Sequence, residues 1–436
     1  MRKHLFVYFG IVAVALGVIL GIRAMSKHTP AEAKAPAALV EYSPGANRTP
    51  GDRSIRAAQG LIERAPSNPK GYNLLASAFM QKARETGDFS LNARAEAALK
   101  ESFKTNANDY DALKLQAKLL LTYHKFDEAL KVARRAQEVN PRDHDVYGAL
   151  TDALVELGRY PEAVEAAQTM VDLRPETSSY ARVSHLRLLH GDTPGAIEAM
   201  RMAARAASVP HDQEGAAWCY VQLGDQLMTA GKLKEAEREY DRALFIFPDY
   251  HIALAAKARA RIAADDMETA INLYTKAQER VPLPDRAIAL GDLYKSLGRN
   301  EEAARQYKLV EFIEGAGAVE QTYSLQIALF WANHDQNLDK ALEIARRERA
   351  ARADIYTSDV LAWCLYKKGE IGDAKAAIDE ALRLGTRDAR IHYHAGMIYK
   401  ALDDRSSARK HLKLALEIDP TFNLLQVAEA RQTLAS

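Results

Sequence analysis

Residues 217–250 read AWCYVQLGDQLMTAGKLKEAEREYDRALFIFPDY. Apolar residues recur at helical spacing on both sides of the pair Gly231-Lys232, so the stretch predicts two helices joined by a short turn. A glycine at this place fits the left-handed turn that closes the first helix. Pro248 cannot continue the second helix and therefore ends it. The small side chain of Ala236 allows the second helix to pack closely against the first.

The same pattern returns along the chain at a nearly constant interval. Its marker is an alanine in the second helix, and successive marker alanines lie 33 to 40 residues apart. The ten marker residues are Ala95, Ala129, Ala163, Ala196, Ala236, Ala270, Ala303, Ala341, Ala374 and Ala408. A period of this size is typical of stacked repeat proteins, in which each unit packs on its neighbours. The sequence therefore predicts an all-α solenoid.

The quoted unit resembles the tetratricopeptide (TPR) repeat. The pair Leu223-Gly224, together with Tyr240 and Pro248, carries the resemblance, and the segment 389–422 is similar. Weaker copies complete an array over 69–422. The resemblance implies an α-solenoid, a right-handed superhelix of about ten TPR helical hairpins, that binds another protein or a peptide segment on its concave surface. The resemblance does not identify that partner, because one repeat fold serves many binding roles.

The N-terminal part of the chain predicts a membrane anchor. Residues 5–22, LFVYFGIVAVALGVILGI, are uncharged, mostly apolar and long enough to cross a bilayer as a helix. We therefore predict a single-pass membrane protein with an N-terminal transmembrane signal anchor and its array on the non-cytoplasmic (periplasmic) side, similar to membrane-anchored or exported bacterial TPR proteins. Cleavage at Ala31-Glu32-Ala33 and secretion is the alternative. The other predicted segments are a short tail (1–4), a flexible linker (23–52), a lead-in helix (53–68), the array (69–422) and a capping helix (423–436).

Small residues line one side of the predicted span. Gly10, Ala13, Gly17 and Gly21 are spaced by three, four and four positions. Such spacing allows two membrane helices to approach closely, so a homodimer through these residues is one hypothesis. The other interpretation is that glycine is simply common in membrane segments.

Charge and cysteine content exclude several function classes. Lys plus Arg number 59 and Asp plus Glu number 58, so the basic surplus of a nucleic-acid-binding protein is missing and we expect no nucleic-acid partner. The two cysteines, Cys219 and Cys364, form no CxxC motif, which excludes a thiolate zinc knuckle or a redox pair. Both are interpreted as buried, inert thiols.

No catalytic motif occurs in the chain. Loops that bind nucleotides, the helical zinc motif of metalloproteases and the nucleophile elbow of hydrolases are all missing from the sequence. His392-Tyr393-His394 comes nearest to a metal pair, but residues two apart on a helix point to different sides. We therefore expect no enzyme, no cofactor and no metal.

Six first-helix residues are the candidates for partner binding. They occupy matching places in their repeats, on the face that the TPR resemblance assigns to the concave groove. The six are Asp152, Asp225, Arg259, Asp292, Trp363 and Met397. Three of them are aspartates, which would attract a basic peptide. The alternative is that each aspartate is merely solvated, and the mixture of residue types predicts a groove of mixed character.

The leading functional hypothesis is a non-catalytic protein–protein interaction scaffold tethered to the membrane. Two alternatives remain. One is a structural subunit or spacer of an envelope assembly complex, and the other is a secreted TPR binding protein after signal cleavage.

Overall fold

The structure is a computed structural model that describes Tyr42 and residues 49–209, 212–315 and 323–435. In these ranges the chain forms twenty-two α-helices and no strand. The prediction of an all-α solenoid is confirmed. The lead-in helix begins at Pro50, three residues before the predicted start, and proline is well suited to the first turn of a helix.

The helices are α1 (Pro50–Arg64), α2 (Pro69–Thr86), α3 (Leu91–Thr105), α4 (Tyr110–Thr122), α5 (Phe126–Val139), α6 (His144–Glu156), α7 (Tyr160–Leu173), α8 (Thr177–Leu189), α9 (Thr193–Ala206), α10 (Gln213–Thr229), α11 (Leu233–Ile246), α12 (His251–Ala263), α13 (Met267–Arg280), α14 (Pro284–Ser296), α15 (Asn300–Gly315), α16 (Ser324–Asn333), α17 (Leu338–Ala351), α18 (Ile355–Lys367), α19 (Ile371–Ala381), α20 (Ala389–Ala401), α21 (Arg405–Ile418) and α22 (Gln426–Ala435).

The chain divides into two compact units, Met1–Ala153 and Leu154–Ser436. In the first unit, α2 packs on α3 and α4 packs on α5, with α1 lying against α2. In the second unit, the pairs from α8–α9 to α20–α21 follow one another, and each pair packs on the next. The last helix, α22, packs on α21 and buries Ala430 completely.

Each helical pair is held together by small residues facing large ones. Ala236 on α11 is fully buried, as is Tyr240 one turn later. The ring of Tyr240 lies so close to Gly224 on α10 that a Cβ atom there would come within 2.3 Å of it. The Leu-Gly pair of the repeat therefore allows a tyrosine of the second helix to reach the first.

Replacing Gly224 by alanine should destabilise the second unit by about 1–3 kcal/mol, because the added methyl group must displace a fully buried ring. Gly372 on α19 provides the matched control, since a Cβ at that position meets no atom within 4 Å. Alanine at Gly372 should be neutral or stabilising by up to about 1 kcal/mol. Urea unfolding followed by circular dichroism measures both changes. Equal effects of the two alanines would show that α10 and α11 are not in close contact at Gly224.

The second unit also contains a contact that the repeat pattern did not predict. The turn between α6 and α7 meets the segment that precedes α18, although about 195 residues separate them. The backbone N–H of Ala353 donates to the Glu156 carbonyl oxygen at 2.9 Å, and that of Ile355 donates to the Tyr160 hydroxyl at 2.9 Å. We call this contact the clasp. Units of this array therefore do not contact only their immediate neighbours.

The predicted membrane location requires correction. The span 5–22 and the small residues Gly10, Ala13, Gly17 and Gly21 lie outside the described residues. In the part of the chain that the structure describes, no helix combines the length and the apolar character needed to cross a membrane. This finding overturns the single-pass membrane location, with its array on the periplasmic side, that the sequence predicted.

Candidate partner-binding groove

Asp225, on the first helix α10, is held in place from two neighbouring helices. The hydroxyl of Tyr240 on α11 donates to its Oδ1 atom at 2.7 Å, and Nη2 of Arg259 on α12 donates to the same oxygen at 2.7 Å. Burial, together with the charge of Asp225, raises the pKa of Tyr240. The phenol therefore keeps its proton and remains a donor to the carboxylate.

Asp292, two repeats later on α14, has the same arrangement. The hydroxyl of Tyr307 donates to its Oδ1 atom at 2.8 Å, and Nε2 of His334, at the end of α16, lies 3.0 Å from that atom. In both repeats the aspartate follows a glycine and precedes the tyrosine by fifteen residues. This spacing is a sequence signal for the pair, and our sequence analysis did not use it.

These two aspartates and Arg259 share one cavity of about 440 Å³ in the second unit. Four first helices, α10, α12, α14 and α16, form one side of it. The irregular segment between α21 and α22 forms the other. Its lining residues are Asp225, Met228, Thr229, Arg259, Ile262, Tyr274, Asp285, Ile288, Ala289, Asp292, Gln326, Leu329, Phe330, Asn333, Asp419, Thr421, Phe422, Asn423 and Leu424. We call this cavity the first-helix groove.

The groove combines an acidic rim with apolar walls. Four aspartates face one arginine in the lining, and Arg259 is already paired with Asp225. Asp285 pairs with Arg286 through one carboxylate oxygen, while its buried Oδ1 has no hydrogen-bond partner among the described residues. A buried acceptor without a donor is costly, so this oxygen would gain from a ligand's N–H group. The lining therefore favours a cationic ligand with an apolar stem.

The other candidate residues lie elsewhere. Trp363 is only 2% exposed, donates through Nε1 to Oδ1 of Asn333 at 2.8 Å and stacks on the ring of His394. Met397 is 3% exposed and belongs to the same core cluster. Asp152 is partly buried on α6 in the first unit. Of the six candidates, the structure thus brings together Asp225, Arg259 and Asp292.

A possible cation site in the first unit is already satisfied by a side chain. Asp143, His144 and Asp145 are the one group in the described ranges whose ligand atoms lie close enough to hold a metal. The ammonium group of Lys114, however, lies 2.9 Å from Asp143 and 3.4 Å from Asp145. Burial is the largest single influence and raises the pKa of Asp143, but the hydrogen bonds from Lys114, the Asp145 backbone and Tyr110, together with the charge of Lys114, outweigh it and leave that pKa at about 2. This lysine supplies the positive charge that a metal would bring.

The remaining titratable residues of interest are buried in the core. His392 contacts His411 and the Thr386 carbonyl oxygen, whereas His394 contacts Asp359, so these two histidines do point to different sides as predicted. Cys219 and Cys364 are buried and free. Burial raises the pKa of each thiol to about 12, which keeps both protonated and unreactive near neutral pH.

Comparison with protein families decides what the helical pairs are. A tetratricopeptide repeat model matches residues 114–178, 152–212 and 221–283, and a second tetratricopeptide repeat model matches residues 389–422. The chain contains tetratricopeptide repeats. Repeats of this kind generally form non-catalytic scaffolds that bind proteins or peptides. The family models do not indicate a membrane-anchored bacterial type.

Solved structures with similar folds share little sequence with this TPR chain. The APC/C hetero-tetramer Cut9–Hcn1 is 17% identical, with 88% of this chain and 67% of that chain covered and a TM-score of 0.38. A tetratricopeptide repeat protein from Parabacteroides merdae is 19% identical, with 60% and 99% covered and a TM-score of 0.34. The human IFIT1 dimer with m7Gppp-AAAA is 15% identical, with 77% and 76% covered and a TM-score of 0.48. A search of curated proteins found no match.

Proposed function

We propose that this TPR protein is a non-catalytic interaction scaffold that binds a basic segment of a partner protein in the first-helix groove. The observation that carries the proposal is the charge of the cavity lining, in which four aspartates, among them Asp285 with one unpaired oxygen, face one arginine. A lysine or arginine of the partner would donate to the carboxylate of Asp285, and its aliphatic stem would lie on the apolar walls.

Asp225 and Asp292 would take part as fixed negative charges. Each already accepts a hydrogen bond from a tyrosine of the same repeat, so neither carboxylate needs to be ordered when the partner binds. Preorganised groups of this kind reduce the entropic cost of association. The same acidic lining would repel a polyanion.

A peptide-binding experiment on the full chain tests the proposal. A short fluorescent peptide of lysine and leucine should bind, and the matched peptide with glutamate in place of lysine should not. Raising the salt from about 0.05 M to about 0.3 M should weaken the binding, since surface charges are screened. Asp285→Asn should weaken the basic peptide about three- to tenfold, as expected for the loss of a charged hydrogen bond.

Asp339→Asn is the matched control for Asp285→Asn. Asp339 lies on α17 in the same unit, is 90% exposed at its side chain and pairs with Lys368 at 2.6 Å. The substitution Asp339→Asn removes one negative charge at a residue that does not line the groove. The proposal fails if both variants bind the basic peptide like the parent protein, or if the acidic peptide binds equally well.

A further inference from the structure

The segment between α21 and α22 lies inside the groove to which we assign partner binding. We call residues 419–425 the C-terminal link. Asp419, Phe422 and Leu424 line the same cavity as Asp225 and Asp292, although nearly two hundred residues of sequence separate the link from α10. The link therefore faces four consecutive first helices from the opposite side.

Apolar contacts hold the link in this position. Leu424 packs against the core cluster that contains Leu254 on α12 and Leu290 on α14. The ring of Phe422 lies 5.3 Å from that of Tyr393 on α20. Just beyond the link, Nε2 of Gln426 donates to Oδ1 of Asn333 on α16 at 2.8 Å. The link is thus anchored on helices of several different repeats.

The hydrogen bonds that shape the link are local. Oδ1 of Asp419 accepts from the backbone N–H of Thr421 at 2.7 Å. Oδ1 of Asn423 accepts from the backbone N–H groups of Leu425 and Gln426, at 2.9 and 3.0 Å, and so caps α22. Because these bonds travel with the link, lifting it from the core cluster under Leu424 breaks apolar contacts but keeps the hydrogen bonds of its own turn. Its residues are also partly exposed, which limits the cost of lifting.

The position of the link limits what the groove can hold. A segment that runs along successive first helices would have to pass between the link and α10, α12, α14 and α16. The space that remains there is about 440 Å³, in the range of sites for small ligands. That volume suits one or two side chains and is too small for a helix or a long extended segment.

We propose that the C-terminal link obstructs the first-helix groove, so that a short basic segment enters while the link is seated and a longer one enters only when the link is displaced. The nature of the occupant rests on the proposed function. The position of the link does not depend on the proposed function, because it follows from the contacts of Leu424 and Phe422.

Two basic peptides of different length test the obstruction on the full chain. One has about six residues and the other about eighteen, an extended reach of roughly 20 and 60 Å, with the same central sequence. The parent protein should bind the long peptide no better than the short one. Leu424→Ala removes the apolar contact that holds the link on that core cluster, and should bind the long peptide about tenfold more tightly than the parent does.

Leu425→Ala is the control. Leu425 is the same residue type in the same link, but of these two leucines only Leu424 packs on that cluster. Leu425→Ala should bind both peptides as the parent protein does. The obstruction is refuted if Leu424→Ala weakens both peptides, since the link would then be a permanent wall of the site. It is also refuted if the long peptide already binds the parent much more tightly than the short one.

Hydrogen exchange without any peptide separates this inference from the proposed function. Lifting the link exposes its local hydrogen bonds to water, so its backbone amides should exchange about tenfold faster in Leu424→Ala than in the parent, while those of α21 keep their protection. If the link amides are equally protected in both proteins, the obstruction is wrong whatever the peptides do. If they exchange faster but no basic peptide binds either protein, the proposed function fails and the seated link stands.

Discussion

Alanine at Gly158 is expected to destabilise the second unit by about 3–5 kcal/mol, whereas alanine at Gly231 should cost only about 1–2 kcal/mol. Both glycines close a first helix with a left-handed backbone, at φ +68° and +70°, so both variants carry the same cost of a side chain in that conformation. They differ in their surroundings. A Cβ at Gly231 meets nothing within 4 Å, but at Gly158 it would lie 2.4 Å from the Ala353 carbonyl oxygen.

The extra loss at Gly158 comes from opening the clasp. The collision is with backbone, so the segment before α18 must move away from the turn. The hydrogen bonds Ala353 to Glu156 and Ile355 to Tyr160 are then lost, as is the ion pair of Arg352 with Glu156 at 3.2 Å. At about 1 kcal/mol for each of the two hydrogen bonds and up to about 1 kcal/mol for the ion pair, the opening adds about 2–3 kcal/mol.

A second glycine pair tests another long-range contact, between the turn that follows α8 and the segment that precedes α20. Gly191 has its Cβ position 2.4 Å from the Gly385 carbonyl oxygen, and Gly298 has the same left-handed backbone in open space. Urea unfolding of the four alanine variants should therefore show a large loss of unfolding free energy at Gly158 and Gly191. The loss at Gly231 and Gly298 should be small. Hydrogen exchange should show faster exchange of the Ala353 and Ile355 amides in Gly158→Ala only. Four equal losses would mean that neither the clasp nor the contact of Gly191 with Gly385 adds stability.

The interior of each repeat could be predicted from the sequence because it depends on local geometry. Ala236, Gly224 and Tyr240 lie within one helical pair, and their spacing fixes which side chains meet. The fifteen-residue distance from Asp225 to Tyr240 belongs to the same class of signal. A prediction that paired each Gly-Asp with the following tyrosine would have found the fixed aspartates of the groove.

The clasp and the C-terminal link could not be predicted in this way. The clasp joins residues about six repeats apart, so it depends on the small rotations between neighbouring repeats added over that distance. The period of the repeat in the sequence does not reveal this accumulated rotation. Trp363 illustrates the same limit, because its repeat position matches that of Asp225 while the tight packing of α16, α18 and α20 buries it. Position in the repeat therefore did not determine exposure.

The pair of histidines in the last repeat should make the protein less stable in acid. Nε2 of His392 lies 3.2 Å from the Thr386 carbonyl oxygen, and its Nδ1 lies 2.9 Å from Nδ1 of His411. The carbonyl can only accept, so Nε2 of His392 carries the proton and its Nδ1 accepts from His411. A proton added to His392 would either place its Nδ1–H opposite the Nδ1–H of His411 or force His411 to move its proton to Nε2, in a buried site.

Burial, followed by the charge of His411, lowers the pKa of His392 to about 4. Arg387 and Lys410 lower it further, and the hydrogen bond to the Thr386 carbonyl oxygen opposes them. Because its ordinary value is 6.5, the unfolded chain binds more protons than the folded one between pH 6.5 and 4. Neutral His392 makes its full contribution to the free energy of unfolding above pH 6.5. This contribution is lost as the pH falls, and the loss reaches about 3 kcal/mol near pH 4.

His392→Gln separates this charge from the packing around it. The glutamine amide can donate to Thr386 and its oxygen can accept from His411, so it imitates the neutral histidine and cannot be protonated. Urea unfolding at pH 7 and at pH 4.5 should show a smaller loss of stability in acid for the variant than for the parent. NMR titration of the parent should place His392 well below 6.5. Equal losses in both proteins, or a His392 that titrates at its ordinary pH, would rule out the histidine pair as the source, since an uncharged side chain cannot respond to acid.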